Sequence, residues 1–346
     1  MKHTLNILRG RSIRWTQGRL CLLLCLGLFA ACSSDDDEQK PSKKTYPLTI
    51  EVAENPLLNE GGEPVATKAT ITTTSSLSAF YMSYMIGNTP SSVPITATKD
   101  EVDGKWKSSD QWPAGGDVTV NWYAYSCNES TRGIFHGNSG NSYIDFTVDE
   151  AAANQHDLLV ATALNKTWSN CGGILSFTFD HVCSALRFYV KKATNLNDYT
   201  LSVSSIVLKN VVKHGNYFYG TGEWTPITAN PKEDITEYTL YSGSAIELLS
   251  ATTNYVALNG NFGSAEAPYL FVIPQTLAEW NTTGELSNTY LEISCTITKT
   301  SDSSPVYNGK AYIPFRATFE KGVQHDVKIN IGKNSLYSGP NTKVIP

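Results

Sequence analysis

The chain has 346 residues, of which 17% are charged, and its formal net charge at pH 7 is −5. An average soluble domain carries about 25% charged residues, so serine and threonine fill many of the polar positions here. The acidic balance argues against a nucleic-acid partner, because nucleic-acid binding needs a basic surface. The 18 tyrosines and 3 methionines suit strands that have one solvated face.

Residues 1–31 have the pattern of a secretory signal peptide. A basic segment precedes an apolar run at residues 20–30, which is too short to span a bilayer. Two alanines then precede Cys32, which predicts cleavage by a lipoprotein signal peptidase and acylation of Cys32. Phe29 stands where such signals usually have leucine. Ordinary cleavage before Cys32, with its thiol left free, is the alternative.

An acidic spacer, SSDDDE, follows Cys32 and opens a tether at residues 32–45. A block of like charges with no apolar side chain cannot pack, so this segment is expected to be solvated. It is similar to the acid-rich tag that sends lipoproteins to the outer face of the outer membrane in some Gram-negative bacteria. We therefore expect a surface-exposed protein with a lipid anchor in the cell outer membrane. A plain soluble spacer is the alternative.

Alternating apolar and polar residues predict many short strands in the rest of the chain. The first, at residues 46–52, directs Leu48, Ile50 and Val52 to one face. Similar runs bounded by turn residues lie at 77–86, 117–125, 157–163, 201–208, 269–273, 290–298, 313–319 and 326–331, and residues 174–190 give two strands with a break near 181–184. Residues 149–155 come closest to a helix.

This strand pattern predicts an all-β fold, and more than a dozen strands exceed one sandwich. We therefore expect two β-sandwich domains. The predicted divisions are a signal peptide at 1–31, a tether at 32–45, an N-terminal β-sandwich at 46–173, a C-terminal β-sandwich at 174–336 and a tail at 337–346.

Four cysteines follow Cys32, and an even number in an oxidising compartment permits two disulfides. Cys171 and Cys183 flank a predicted hairpin, so they are the first pair to consider. The alternative is that all four are buried thiols, which are common in protein cores.

The sequence carries none of the common motifs of an enzyme or a metal site. We therefore expect no catalytic activity, no cofactor and no bound metal. His181, between two apolar runs, is interpreted as a buried residue hydrogen-bonded to the backbone. Six tryptophans could form a sugar-stacking platform, but packing in the core or in loops is the preferred interpretation; they are Trp106, Trp112, Trp122, Trp168, Trp224 and Trp280.

Several segments, taken in order, resemble the fimbrillin-like family, the subunits of type V pili. After the lipoprotein leader come YPLTIEV at 46–52, TKA at 67–69, NWYAY at 121–125, DLLVA at 157–161, FTFDHVCSALRFYV at 177–190, PQ at 274–275 and GVQHDVKINI at 322–331. Each segment alone has little specificity, and the resemblance depends on their order. It covers most of the chain after the leader.

The resemblance implies two tandem transthyretin-like (Greek-key) β-sandwiches. It also implies assembly into a fimbrium by strand exchange. A trypsin-like protease removes the first strand together with the lipid, and a strand from another pilus subunit then fills the open groove. On this chain the displaced strand is 46–52, with Leu48, Ile50 and Val52 filling the groove. The cut falls between Lys68 and Ala69.

The resemblance leaves the type of subunit open. The family usually has arginine before the cut, so Lys68 also admits a basal subunit that keeps its lipid. Stalk subunits donate a C-terminal strand, and residues 333–346 are short for that role, so a tip or accessory adhesin with host or bacterial surface ligands is an alternative. A surface-exposed glycan-binding lipoprotein is the competing function.

Overall fold

The computed structural model describes residues 45–65, 73, 75–113, 115–127, 133–250, 255–258, 269–281, 286 and 288–345. The predicted signal peptide, Cys32, Lys68 and Ala69 lie outside these ranges. Within them the chain is almost entirely β-structure, which confirms the all-β part of the predicted fold.

The strands are short and follow the alternation of apolar and polar side chains. They are β1 Pro47–Glu54, β2 Leu58–Asn59, β3 Ala79–Ile86, β4 Thr89–Pro90, β5 Ile95–Lys99, β6 Trp106–Gln111, β7 Val120–Tyr125, β8 Gly133–His136, β9 Tyr143–Thr147, β10 Leu159–Lys166, β11 Ile174–His181, β12 Ser184–Lys192, β13 Tyr199–Val212, β14 His214–Phe218, β15 Glu223–Pro226, β16 Ile235–Glu247, β17 Val256–Ala257, β18 Leu270–Val272, β19 Gln275–Leu277, β20 Tyr290–Lys299, β21 Pro305–Pro314, β22 Ala317–Phe319, β23 Val323–Ile331, β24 Tyr337–Gly339 and β25 Thr342–Lys343. One α-helical turn, α1, covers Pro231–Asp234, and short 3-10 turns cover Ala152–Asn154, Thr194–Leu196 and Lys333–Ser335.

The N-terminal half forms a closed ring of strands. The pairing order is β3-β5-β6-β1-β11-β10-β7, and β7 pairs back to β3, while β4 adds to the outside of β3. Every neighbouring pair is antiparallel except β1 and β11, which run parallel. The first strand of the chain, β1, therefore lies within the ring and closes it between β6 and β11.

The inward side chains of the ring form one apolar core. Large aromatic residues dominate it, with Phe80, Trp122 and Phe177 at 1% exposure or less. Phe80 meets Trp106 edge to face, with ring centroids 4.8 Å apart. This packing follows from strands whose alternate residues all point to the same side of a curved sheet.

The C-terminal half is a sandwich of two sheets. One sheet has the order β17-β12-β23-β2, with β18 also paired to β12, and the other has the order β16-β13-β20-β21-β24-β25. Alternate residues of β12, β13 and β20 meet between the sheets, and Phe188, Val203 and Ile293 are each fully buried there. A two-stranded sheet of β19 and β22 lies beside them.

A small sheet connects the two halves of the chain. Its order is β15-β14-β9-β8, so β9 from the first half pairs with β14 from the second. A third apolar cluster lies at this junction and includes Phe146, Val160, Cys183 and Phe271. The chain passes from the ring to the sandwich between His181 and Ser184, whereas the sequence placed the division between residues 173 and 174.

Two details of the strand prediction change in the structure. The predicted strand at 313–319 is wrong, because β21 ends at Pro314 and a separate strand, β22, begins at Ala317. Proline lacks the amide donor that a continuing strand needs. The predicted tail is also folded, since β24 pairs with β21 at Tyr312 and Ile345 is buried in the sandwich core.

The proposed Cys171–Cys183 disulfide is wrong. The cysteines at 127, 171, 183 and 295 are all free thiols. No hairpin separates Cys171 from Cys183; the single strand β11 does, and eight extended residues span roughly 25 Å. A disulfide needs Cα atoms within about 7 Å.

Candidate functional site

The first strand lies between two strands that come much later in the chain. It pairs in parallel with β11 from Thr49 to Glu54 and antiparallel with β6 at Pro47, Thr49 and Ile50. Burial alternates along the whole of PLTIEVAE, so Leu48, Ile50, Val52 and Glu54 share the inward face of β1 and the residues between them face outward. Because β1 has a neighbour on both sides, removing it would leave two open strand edges, on β6 and on β11.

The inward face of β1 fills part of the ring core. Leu48 and Ile50 are buried, and Val52 is half-buried against the same cluster. Thr49 and Glu51 point to solvent. The strand and its inward face therefore agree with the sequence prediction, whereas its displacement stays a prediction.

A cleft runs along the second half of β1. Among the described residues, β6 pairs with β1 only as far as Ile50, so the edge of β1 beyond that point faces a cleft of about 910 Å³. Lys105, Trp106 and Phe177 are among the residues that line it. No strand in the described part of the chain pairs with the β6-facing edge of β1 along this stretch.

Three ionisable side chains meet at the end of β1, and we call Glu54, Asp157 and His181 the acid–histidine cluster. The His181 ring lies between the two carboxylates, with Nδ1 2.5 Å from Asp157 Oδ2 and Nε2 3.1 Å from Glu54 Oε1. The side chains of His181 and Asp157 are each 1% exposed, and that of Glu54 is 14% exposed. The cluster joins the first strand to the start of β10 and the end of β11.

The carboxylates alter the protonation of the cluster. Burial by itself lowers the pKa of His181, but Asp157 and Glu54 outweigh burial and raise that pKa above its ordinary value. Burial raises the pKa of Asp157, and His181 opposes that rise. A protonated ring donates to both carboxylates, so the cationic form of His181 is the one that this geometry stabilises.

The thiol of Cys183 lies beside Asp157 but is unsuited to catalysis. It is buried, and burial raises its pKa well above the ordinary value. A nucleophilic cysteine needs a lowered pKa and access to substrate. Within the described ranges, no group of three or more His, Cys, Asp or Glu side chains is arranged to hold a metal ion.

Both ends of β1 are fastened to the ring. At the start, the backbone amide of Trp112 donates to Tyr46 O over 2.8 Å, and Trp168 Nε1 donates to Pro47 O over 3.2 Å. At the other end, the amide of Asn55 donates to Phe179 O over 2.8 Å. These hydrogen bonds hold β1 just before its first inward side chain, Leu48, and just after its last, Glu54.

The segment after β1 reaches the other half of the molecule. The short strand β2 pairs in parallel with β23 at Leu58 and Asn59, and Leu57 is 1% exposed in the junction cluster. Glu60 Oε1 lies 3.0 Å from His325 Nδ1. A cut after Lys68 would therefore separate a segment that contacts both the ring and the sandwich.

The tryptophans do not form an exposed platform in the described part of the chain. Trp106, Trp112, Trp122 and Trp280 are between 0% and 8% exposed, and Trp168 and Trp224 are half-buried. Core packing, the preferred sequence interpretation, is confirmed for the first four.

The first strand lies where the sequence predicts it, but its contact with His181 was not predicted. His181 is buried as predicted, but its partners are carboxylates and not the backbone. The signal for Glu54 was present, because period two carries the inward face of Leu48, Ile50 and Val52 on to residue 54. Nothing in the sequence marked Asp157 as a partner.

Comparisons with known proteins place these features in a wider group. A model of the fimbrillin-like family matches residues 60–344. A fimbrial protein from Bacteroides vulgatus has a similar fold, with a TM-score of 0.52 and 19% identity over 82% of this chain and 95% of that chain. A candidate cell adhesion protein from Bacteroides ovatus shows a TM-score of 0.43 and 14% identity over 85% of this chain and 95% of that chain.

No curated protein matches the chain. None of the helices in the described part of the chain is long and apolar enough to cross a membrane.

Proposed function

Since the chain belongs to the fimbrillin-like family, we propose that it is a subunit of a cell-surface pilus, or an adhesin carried by one, and that it assembles by exchange of its first strand. The observation that carries this proposal is the position of β1. It is the first described strand of the chain, yet it completes the ring between β6 and β11. The wild-type chain thus shields two strand edges that a neighbouring subunit could use.

The proposed sequence of events begins with export. Cys32 is acylated and holds the chain at the outer membrane, and a protease then cuts between Lys68 and Ala69. The segment that contains β1 and β2 leaves, and a donor strand from another subunit enters the ring. Its backbone replaces the hydrogen bonds of β1, and its alternate side chains replace Leu48, Ile50 and Val52. We also propose that the ring and the sandwich are the two tandem domains of this family.

N-terminal sequencing and intact mass of the protein recovered from the cell surface test the proposal. A chain that begins at Ala69 and carries no lipid is expected. The variant Lys68→Ala should keep its lipid, whereas Lys68→Arg should still be cut, because a trypsin-like protease accepts both basic residues. A wild-type chain that begins only at acylated Cys32 would contradict the proposed cleavage.

One observation favours glycan binding as a second candidate function. A cleft of about 760 Å³ lies between β8 and the outer face of the ring, and its lining includes Tyr81, Tyr125 and Phe135 but no Asp, Glu, Lys or Arg among the described residues. Aromatic rings with nearby hydroxyls suit a neutral sugar. Calorimetry with oligosaccharides tests this function, and Phe135→Ala should abolish any binding in the cleft.

A further inference from the structure

We propose that the groove occupied by β1 selects a strand with an acidic residue at the position of Glu54, where that residue meets His181. The inference rests on the proposed strand exchange and names the kind of partner that it requires. The partner is a strand of another pilus subunit with three alternate apolar residues followed, two positions later, by Asp or Glu.

The inward face of β1 has two chemically different parts. Leu48, Ile50 and Val52 enter the apolar core of the ring, and Glu54 is the next residue on the same face. Its carboxylate meets His181 Nε2 at 3.1 Å. The groove therefore ends in an ionisable group and not in more apolar surface.

A cut after Lys68 would divide the acid–histidine cluster. Glu54 would leave with the first strand, while Asp157 and His181 would stay in the ring. Nδ1 of His181 is already held by Asp157, so only Nε2 faces the vacated position. A buried donor without an acceptor is costly, which penalises an incoming strand that places an apolar side chain there.

The charge of the cluster favours a carboxylate over a neutral acceptor. The His181 side chain is 1% exposed, so water offers it little solvation. A carboxylate at this position places an opposite charge beside the protonated ring, and that attraction is several times stronger in or near a protein than in bulk water. A glutamine at this position would accept a hydrogen bond from Nε2 but would not supply the negative charge.

Glu51 provides a matched control on the same strand. It is three residues from Glu54 but faces solvent, and its nearest described polar contact is Ser176 Oγ at 3.4 Å. The changes Glu54→Gln and Glu51→Gln remove the same charge and conserve the same shape. Only the first alters the contact with His181.

The first experiment uses the intact full chain and needs no strand exchange. Native-state hydrogen exchange measures how often the amides of β1 open in the wild type, in Glu54→Gln and in Glu51→Gln. We expect opening to be about tenfold more frequent in Glu54→Gln and unchanged in Glu51→Gln. Equal opening in the two variants would overturn the inference.

The second experiment measures partner selection. A full chain with a protease site inserted between Lys68 and Ala69 is cut and mixed with labelled peptides of residues 45–56. We expect the wild-type and Glu51→Gln peptides to bind alike and the Glu54→Gln peptide to bind about tenfold more weakly. Equal binding of all three would overturn the acidic preference alone. If no peptide binds in the groove, both the proposed strand exchange and the acidic preference are wrong.

Discussion

Glu54 and His181 are 127 positions apart in the sequence, and their side chains meet at 3.1 Å where the first strand ends. The contact joins a segment that we propose is removed to a residue that stays in the ring. A second such contact, between Glu60 and His325, joins the same segment to the sandwich. The N-terminal segment is thus held to both halves by carboxylate–imidazole pairs as well as by strand pairing.

Shortening an inward side chain of β1 should destabilise the intact chain. Ile50 is 4% exposed, so Ile50→Ala leaves a cavity in the ring and should lower the free energy of unfolding by roughly 2–5 kcal/mol. Urea unfolding followed by tryptophan fluorescence measures this. The control Thr49→Ala changes the neighbouring solvent-facing residue and should shift the free energy by about 0.5 kcal/mol or less. Equal effects of the two changes would contradict the assigned inward face.

The stability of the chain should fall as pH rises above neutrality. The pKa of His181 is raised in the folded state, because Asp157 and Glu54 outweigh its burial. A raised pKa contributes stability that is complete below the unfolded value, about 6.5, and is lost as pH rises through the folded value. The raised pKa of Asp157 also makes stability fall with rising pH, and that contribution begins at the ordinary pKa of 3.8. Urea unfolding at several pH values from 5.5 to 9 would measure the decline.

A variant separates the contribution of the acid–histidine cluster from that of other groups. Glu54→Gln removes one of the charges that raise the pKa of His181, so the decline should become smaller. The pKa of His214 is also raised, since Asp234 and Asp145 outweigh its burial, and this residue contributes with the same sign. A decline that is identical in the wild type and in Glu54→Gln would argue against a role for the cluster.

The thiols should differ sharply in reactivity. Cys171 is half-buried, whereas Cys127 and Cys295 are buried and burial raises the pKa of each to about 12. We therefore expect iodoacetamide at pH 8 to label Cys171 at least about a hundredfold faster than the other two in the folded chain. Mass spectrometry of the labelled peptides checks this order. Denatured protein, in which all thiols should react alike, is the control, and a peptide that links Cys171 to Cys183 would refute the free-thiol assignment.

The last described residues should contribute to stability. Ile345 is 2% exposed in the core of the sandwich, so Ile345→Ala should lower the free energy of unfolding by about 2 kcal/mol or more. Thermal unfolding by circular dichroism measures the change. Thr342→Ala, at an exposed position of β25, should leave the midpoint nearly unchanged. If Ile345→Ala left the thermal midpoint unchanged, this segment would not be packed in the core.

Part of the fold and of the site could be read from local patterns. The alternation in YPLTIEV, residues 46–52, predicted both the strand and the inward positions of Leu48 and Ile50, because side chains on a strand point to opposite faces with period two. The break between residues 181 and 184 was also predicted and separates β11 from β12. Strand β6, WKSSDQ, was missed because most of its residues are polar, and β8, GIFH, was missed because four residues are too few to show an alternation.

Local sequence patterns were enough to predict a chain built from strands, a first strand with Leu48, Ile50 and Val52 on one face, and an order of segments that matches the fimbrillin-like family. The folded chain was needed to establish that β1 lies between β6 and β11, that Cys171 and Cys183 are free thiols and that Glu54 meets His181. Alternation of apolar and polar residues specifies which face of a strand each side chain occupies. This pattern is local, because it involves only the residues of that one strand. Strand neighbours are chosen by backbone pairing and core packing between distant segments, which no local pattern encodes.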